Sequence, residues 1–217
     1  YFSNVDKLVD LTTFDYITIS NLSLEGAKTN AIDGNSAISI RVDGNDIKYA
    51  GQRAVYLTYG SDTFVTNNTI TDSQNSGITV TSGSTLANAT ITDNTILNTG
   101  IRMGTVLPLV GTDRNQIALE ISMPAGTNLV QYNTIRNVGN NGIRFGGNNL
   151  TIKNNVISNF NLQLDDGAGI YSYGGGNTPT NPGVTQNSRR VITENIIYGG
   201  IGNPSGTSSG QHYSSGL

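Results

Sequence analysis

Apolar and polar positions alternate along this chain in short runs, and the runs return in one fixed frame. A β-branched aliphatic residue recurs at Val42, Val65, Ile91, Val130, Ile152 and Ile192. Three residues after each stands an asparagine: Asn45, Asn68, Asn94, Asn133, Asn155 and Asn195. Two residues later comes isoleucine every time, at Ile47, Ile70, Ile96, Ile135, Ile157 and Ile197. A weaker copy precedes these, with Ile19 and Leu24 framing Leu22. Between frames, a polar turn leads to a small residue and a short alternating run. The runs are Ala31-Ile32-Asp33, Ala54-Val55-Tyr56-Leu57, Gly77-Ile78-Thr79-Val80, Ala118-Leu119-Glu120-Ile121, Gly142-Ile143-Arg144-Phe145 and Gly169-Ile170-Tyr171. A period of two, punctuated by Gly, Asn, Ser and Thr, predicts strands and turns. No stretch carries the longer 3.6-residue stripe that a helical repeat needs.

Counted from Leu22, the asparagine frames lie 23, 23, 26, 39, 22 and 40 residues apart. A repeat of roughly two dozen residues is the mark of a solenoid. The frame gives three short strands per coil and about seven coils, so the fold class is all-β, a parallel β-helix. One such domain is expected to span residues 1–217. A β-sandwich also has short strands, but it gives no reason for isoleucine to recur in one position. Stacked strands lie roughly 4.8 Å apart, so the asparagines should hydrogen-bond as a ladder, as amides do in cross-β stacks. The isoleucines should form one dry internal column.

Separations of 39 and 40 read as a normal coil plus inserted loops. The insertions fall at residues 97–117, 158–168, 174–190 and 198–215, and all flank the strand that begins with the small residue. Long loops on a regular scaffold are commonly functional. They are expected to wall a groove whose floor is the outward residue of each strand: Glu120, Arg144 and Tyr171, with Thr79 and Tyr56 behind. Neutral insertion is the alternative.

Composition narrows the function classes. Charged residues make up 12% of the chain, the formal net charge is −3, and only four lysines occur. No basic stripe is available for a phosphate backbone, which argues against a nucleic-acid partner. The absence of cysteine removes disulfides and thiolate metal sites. No apolar run reaches the length of a membrane span, so no membrane insertion is expected. Leu8-Val9-Asp10-Leu11 already reads as a strand, and Ser215-Gly216-Leu217 reads as the start of one. Without a capping pattern at either end, the expectation is an uncapped segment of a longer parent chain.

The stretch from Asn141 to Ile157, with Gly142-Ile143-Arg144-Phe145 and Leu150-Thr151-Ile152 inside it, resembles the repeat of the pectate-lyase-like superfamily. Asp165-Asp166-Gly167-Ala168-Gly169-Ile170-Tyr171 is similar to a segment of secreted bacterial β-helix proteins. The resemblance implies a right-handed helix, a secreted or cell-surface location and a polysaccharide ligand lying along the Gly/Ala-Ile strand. It brings no catalytic signature with it, because the fold carries lyases, glycosidases and adhesins alike.

Chemistry on the expected floor rests on few groups. The chain has three glutamates, and Glu120 is the one on the floor, since Glu25 and Glu194 fall on turns or other faces. Asp165 and Asp166 are expected to enter the floor from the turn before Tyr171. With Glu120 they would approach the carboxyl spacing of roughly 6.5–9.5 Å that inverting glycosidases use. The plainer readings are a cross-strand ion pair between Glu120 and Arg144, and an Asp-Asp-Gly turn. A lyase would draw on Arg144 as a cation and Tyr171 as a proton carrier, with Arg102, Arg114, Arg189 and Arg190 in or near the loops. His212, in a polar loop, reads as a surface residue. Tyr56, Tyr171, Tyr173, Tyr198 and Tyr213 offer ring faces for sugars; Tyr198 equally suits a coil edge. No cofactor is called for, and calcium is left open only through Asp165 and Asp166. Three classes therefore stand: a polysaccharide-cleaving enzyme (hydrolase ahead of lyase), a glycan-binding module, and a structural stalk or adhesin segment.

Overall fold

In the computed structural model the described residues are 4–82, 88–102, 116–124, 126–172, 189–202 and 214–215. They form three parallel sheets of seven strands each, every coil adding one strand to each sheet. Sheet A holds Val9–Asp10, Ile32–Asn35, Arg53–Thr58, Ser76–Thr81, Ile117–Met123, Ile143–Gly147 and Ile170–Ser172. Sheet B holds Thr18–Ser20, Arg41–Asp43, Thr63–Thr66, Ala89–Thr92, Asn128–Gln131, Leu150–Lys153 and Arg190–Thr193. Sheet C holds Ser23–Glu25, Asp46–Lys48, Thr69–Thr71, Thr95–Thr99, Thr134–Val138, Val156–Ser158 and Ile196–Tyr198. The chain runs A to B to C and back to A, rising one strand per circuit. A further short pair joins Gly167–Ala168 to Ser214–Ser215.

The isoleucine frame is the inner wall of sheet C. Leu24, Ile47, Ile70, Ile96, Ile135, Ile157 and Ile197 are successive register partners. Those from Ile47 to Ile157 are fully buried, and Ile197 packs against the same core from the last described coil. Sheet A faces them with Ile32, Val55, Ile78, Leu119, Ile143 and Ile170, and sheet B with Val42, Val65, Ile91, Val130 and Ile152. Side chains alternate along a strand. Fixing these residues inward therefore sends their neighbours outward.

The corner between sheets B and C is held by the asparagine ladder. Asn133 Oδ1 accepts both the backbone N–H of Asn94 (3.1 Å) and its side-chain amide (3.0 Å). In turn the Asn133 amide donates to Ile91 O and Gln131 O, each at 3.0 Å. The pattern repeats without a break from Asn45 through Asn68, Asn94, Asn133 and Asn155 to Asn195. Where Leu22 replaces the asparagine, its N–H still donates to Asn45 Oδ1. Each ladder residue thus satisfies polar backbone groups that a dry corner would strand.

The residue before each ladder position takes a left-handed backbone with φ between 54° and 67°: Asn21, Gly44, Asn67, Asp93, Tyr132, Asn154 and Glu194. Most of these are Gly, Asn or Asp, the types that tolerate that region. A second left-handed column closes the corner from C to A at Gly26, Tyr49, Asp72, Asn98, Asn137, Asn159 and Gly199. There Asn137 donates to Asn98 Oδ1 (2.9 Å) and Asn159 to Asn137 Oδ1 (3.0 Å), a shorter amide ladder that the sequence frame does not reveal.

Replacing Asn133 with Ala should cost about 3 kcal/mol in urea unfolding, because it strands the buried Asn94 N–H and two carbonyls; a loss under about 1 kcal/mol would mean that the ladder contributes little. Tyr59 also sits at positive φ (56°) with its ring largely exposed. Tyr59→Asn should therefore stabilise the chain by about 0.5–1 kcal/mol in the same measurement.

Candidate functional site

The outward residues of sheet A form one continuous row. Asp10 pairs in register with Asp33, Asp33 with Tyr56, Tyr56 with Thr79, Thr79 with Glu120, Glu120 with Arg144, and Arg144 with Tyr171. The expected floor of Tyr56, Thr79, Glu120, Arg144 and Tyr171 is thus aligned one coil per residue, with Thr79 buried and the other four partly exposed. The row continues through Asp33 and Asp10, which the sequence reading left out. Their signal was present, since Ala31-Ile32-Asp33 sits in the same frame as Ala54-Val55-Tyr56.

Glu120 and Arg144 are joined across adjacent strands. Arg144 donates to Glu120 Oε1 from NH2 at 2.5 Å and from Nε at 3.2 Å. The two side chains are 19% and 22% exposed, so the pair is partly shielded yet reachable from solvent. Both bonds fall on Oε1, which leaves Oε2 as an acceptor for a ligand hydroxyl. Tyr56 carries the Arg53 guanidinium 4.4 Å from its ring centroid, and Arg190 lies 5.2 Å from the centroid of Phe145. Arg190 also donates to Gly147 O (2.8 Å) and to Ser172 Oγ (3.2 Å), which anchors it beside the Tyr171 end of the row. Burial lowers its pKa from the ordinary guanidinium value, but such a group keeps its charge.

At the other end of the row, Lys7 bridges Asp33 (3.0 Å) and Asp10 (3.1 Å), and Asn30 donates to Asp33. The hydrogen bond to Asp33 raises the Lys7 pKa, while bonds from the Thr12 hydroxyl and backbone hold the Asp10 carboxyl low. The lysine separates two carboxylates that stacking would otherwise bring face to face.

Two expected floor residues lie elsewhere. Asp165 is buried on the turn before Gly167–Ala168, off the strand that carries the row. Asp166 is exposed on the same turn at positive φ, five residues ahead of Tyr171. The reason is the packing of residues 159–166. Leu162 N donates to Val138 O, Gln163 N to Gly139 O and Asn161 N to Asn140 O, with Phe160 buried beneath. This insertion lies down on the C-to-A corner instead of rising as a wall.

Arg102 is exposed on that same corner and pairs with Asp72 at 3.4 Å. Arg189 is exposed at positive φ just ahead of the last sheet B strand. Tyr198 is half exposed on the outside of sheet C, away from the row. Tyr173, Arg114, His212, Tyr213 and most of the insertions 97–117, 174–190 and 198–215 lie outside the described residues. Among the described residues, no group of three or more His, Asp or Glu is placed to hold a metal.

A family model described as a right handed beta helix region matches residues 2–209. The chain belongs to that family. Its parallel coils are therefore right-handed, as the sequence resemblance implied. No curated protein and no solved structure matches the chain.

Glu120 and Arg144 should show a coupling of about 1 kcal/mol in a double-mutant cycle of Glu120→Gln and Arg144→Met, read by urea unfolding. Zero coupling would mean that the pair is incidental to the stack.

Proposed function

We propose that the protein binds a polysaccharide chain laid along the outward row of sheet A, at the cell surface or outside it. The observation that carries the reading is the row itself. It places ring faces (Tyr56, Tyr171), a half-engaged carboxylate (Glu120) and a guanidinium group (Arg144) at coil spacing on one face, with Arg190 of sheet B anchored to Ser172 at its end. Sugars are recognised by that mixture of flat apolar rings and directional polar groups. The row is balanced in charge, which suits a neutral or weakly charged glycan better than a polyanion.

Cleavage is supported less well than binding. Paired-carboxylate hydrolysis needs a second acid within roughly 10 Å. In the described row the next carboxylate after Glu120 is Asp33, three strands away, or roughly 14 Å at strand spacing. For elimination, Arg144 is already engaged by Glu120.

Affinity electrophoresis through gels containing neutral or uronate-bearing polysaccharides tests both readings, with a parallel assay for new reducing ends and unsaturated products. The expectation is retardation by at least one neutral glycan, at least fivefold weaker binding in Tyr171→Ala and Arg144→Met, and no products. Products that disappear in Glu120→Gln would establish an enzyme instead. Free migration in every gel would leave a stalk or spacer as the role of the segment.

A further inference from the structure

The corner from sheet A to sheet B carries exposed rings in three successive coils. Phe14 and Tyr16 lie in the first coil, Ile38 in the second and Tyr59 in the third. Tyr16, Tyr59 and Phe14 are 79%, 67% and 60% exposed, and Ile38 is 40% exposed. Ala37 and Gly60 in the same turns are small and closely packed; a Cβ on Gly60 would clash with the Ala37 carbonyl oxygen.

The turns do not need these rings. Backbone bonds align Tyr16 with Ser39 and Asp62, all at positive φ, and align Ser36 with Tyr59 in the same conformation. Small polar residues therefore close the corner equally well. Two carboxylates stand among the rings. Asp15 Oδ1 accepts the Ile38 N–H at 2.8 Å, and Asp62 Oδ1 accepts the Asn88 amide at 2.7 Å. Each leaves its Oδ2 to accept a further hydrogen bond. No lysine or arginine occurs in residues 11–17, 35–40 or 59–62.

These properties select the occupant. At roughly 150–250 Å² per aromatic side chain, the exposed fractions give about 400 Å² of ring surface. That is about half of the ~800 Å² that each partner of a stable protein complex buries, so a second copy is poorly served. An added strand needs an open backbone edge, and here the N–H groups of Thr13, Phe14, Tyr16, Ser36, Ile38, Ser39 and Tyr59 are all taken. Unpaired acids repel polyanions and anionic lipid. What fits is a flat, uncharged molecule with apolar faces and many hydroxyl donors. We propose that this corner is a neutral-glycan binding site, with Phe14, Tyr16 and Tyr59 stacking on sugar rings and Asp15 and Asp62 accepting their hydroxyls. It is separate from the sheet A row and stands whether or not the row binds a glycan.

Affinity electrophoresis of the whole chain through hydroxyethylcellulose, galactomannan or polygalacturonate gels tests this, with light scattering for mass. The expectation is retardation by a neutral gel, weakened about fivefold by each of Tyr16→Asn, Tyr59→Asn and Phe14→Ala. Asparagine suits the left-handed backbone at residues 16 and 59. Those two variants should melt no lower than wild type, so their loss of binding cannot come from unfolding. Arg144→Met and Tyr171→Ala alter only the row and should leave a retardation that Tyr16→Asn then removes. Retardation lost in the row variants but unchanged in the corner variants would overturn the proposal and leave the row as the binding face. Free migration in both neutral gels would overturn it as well. So would a wild-type dimer that Tyr16→Asn converts to monomer, because the rings would then belong to a contact between copies.

Discussion

Everything in this molecule follows from one constraint: each residue must sit on its counterpart in the coil below. Parallel pairing supplies the vertical hydrogen bonds, but it does not alone choose the register. A slip of one residue would turn every core aliphatic outward. The asparagine ladder prevents that slip. Each Oδ1 captures two donors from the neighbouring asparagine, and each amide returns to a carbonyl of the neighbouring coil. A displaced coil would bury these groups unpaired. Even the coils carrying the 39- and 40-residue steps keep their place, because Asn94–Asn133 and Asn155–Asn195 are bonded like the others.

The parts of the fold that repeat in most coils were legible from the sequence. The inner isoleucine column and the ladder at the B-to-C corner could be read because a single residue type fills them. The ladder at the C-to-A corner could not. Its positions are Gly26, Tyr49, Asp72, Asn98, Asn137, Asn159 and Gly199, and only three of the seven are asparagine. What unites them is left-handed backbone, a property that several residue types satisfy and that leaves no regular sequence mark. The insertion at 158–168 was misjudged for a related reason. Length alone suggested a wall, whereas Phe160, a large apolar residue among polar ones, was the sign that the segment packs down.

Left-handed corners also carry a cost that the core does not explain. Tyr16, Tyr49, Tyr59 and Tyr132 all have positive φ and are 79%, 46%, 67% and 53% exposed. Other coils place Gly, Asn, Asp or Ser at several of these corners. A bulky side chain in that region is strained, and rings this exposed recover little by burial. The stacked scaffold tolerates such positions because its stability is summed over neighbouring coils.

Stacking also governs what the outward face of sheet A can do. Identical charges in successive coils would stand roughly 4.8 Å apart and repel, so a long row of carboxylates is disfavoured unless cations separate them. The row follows that rule at both ends: Lys7 stands between Asp10 and Asp33, and Arg144 follows Glu120 directly. Between these clusters lie Tyr56 and Thr79, uncharged and in register. The same neutralisation that permits the charges to stack also spaces the acids. It keeps Glu120 from acquiring a carboxylate neighbour at catalytic distance within the described row. A parallel β-helix can build a two-acid centre only by bringing the second acid from a loop or from another position on the strand. Of the two acids the sequence offered for this, Asp165 is buried at the corner and Asp166 is exposed on the same turn, off the row. On the described row, therefore, Glu120 has no second carboxylate at the spacing that paired-acid hydrolysis uses.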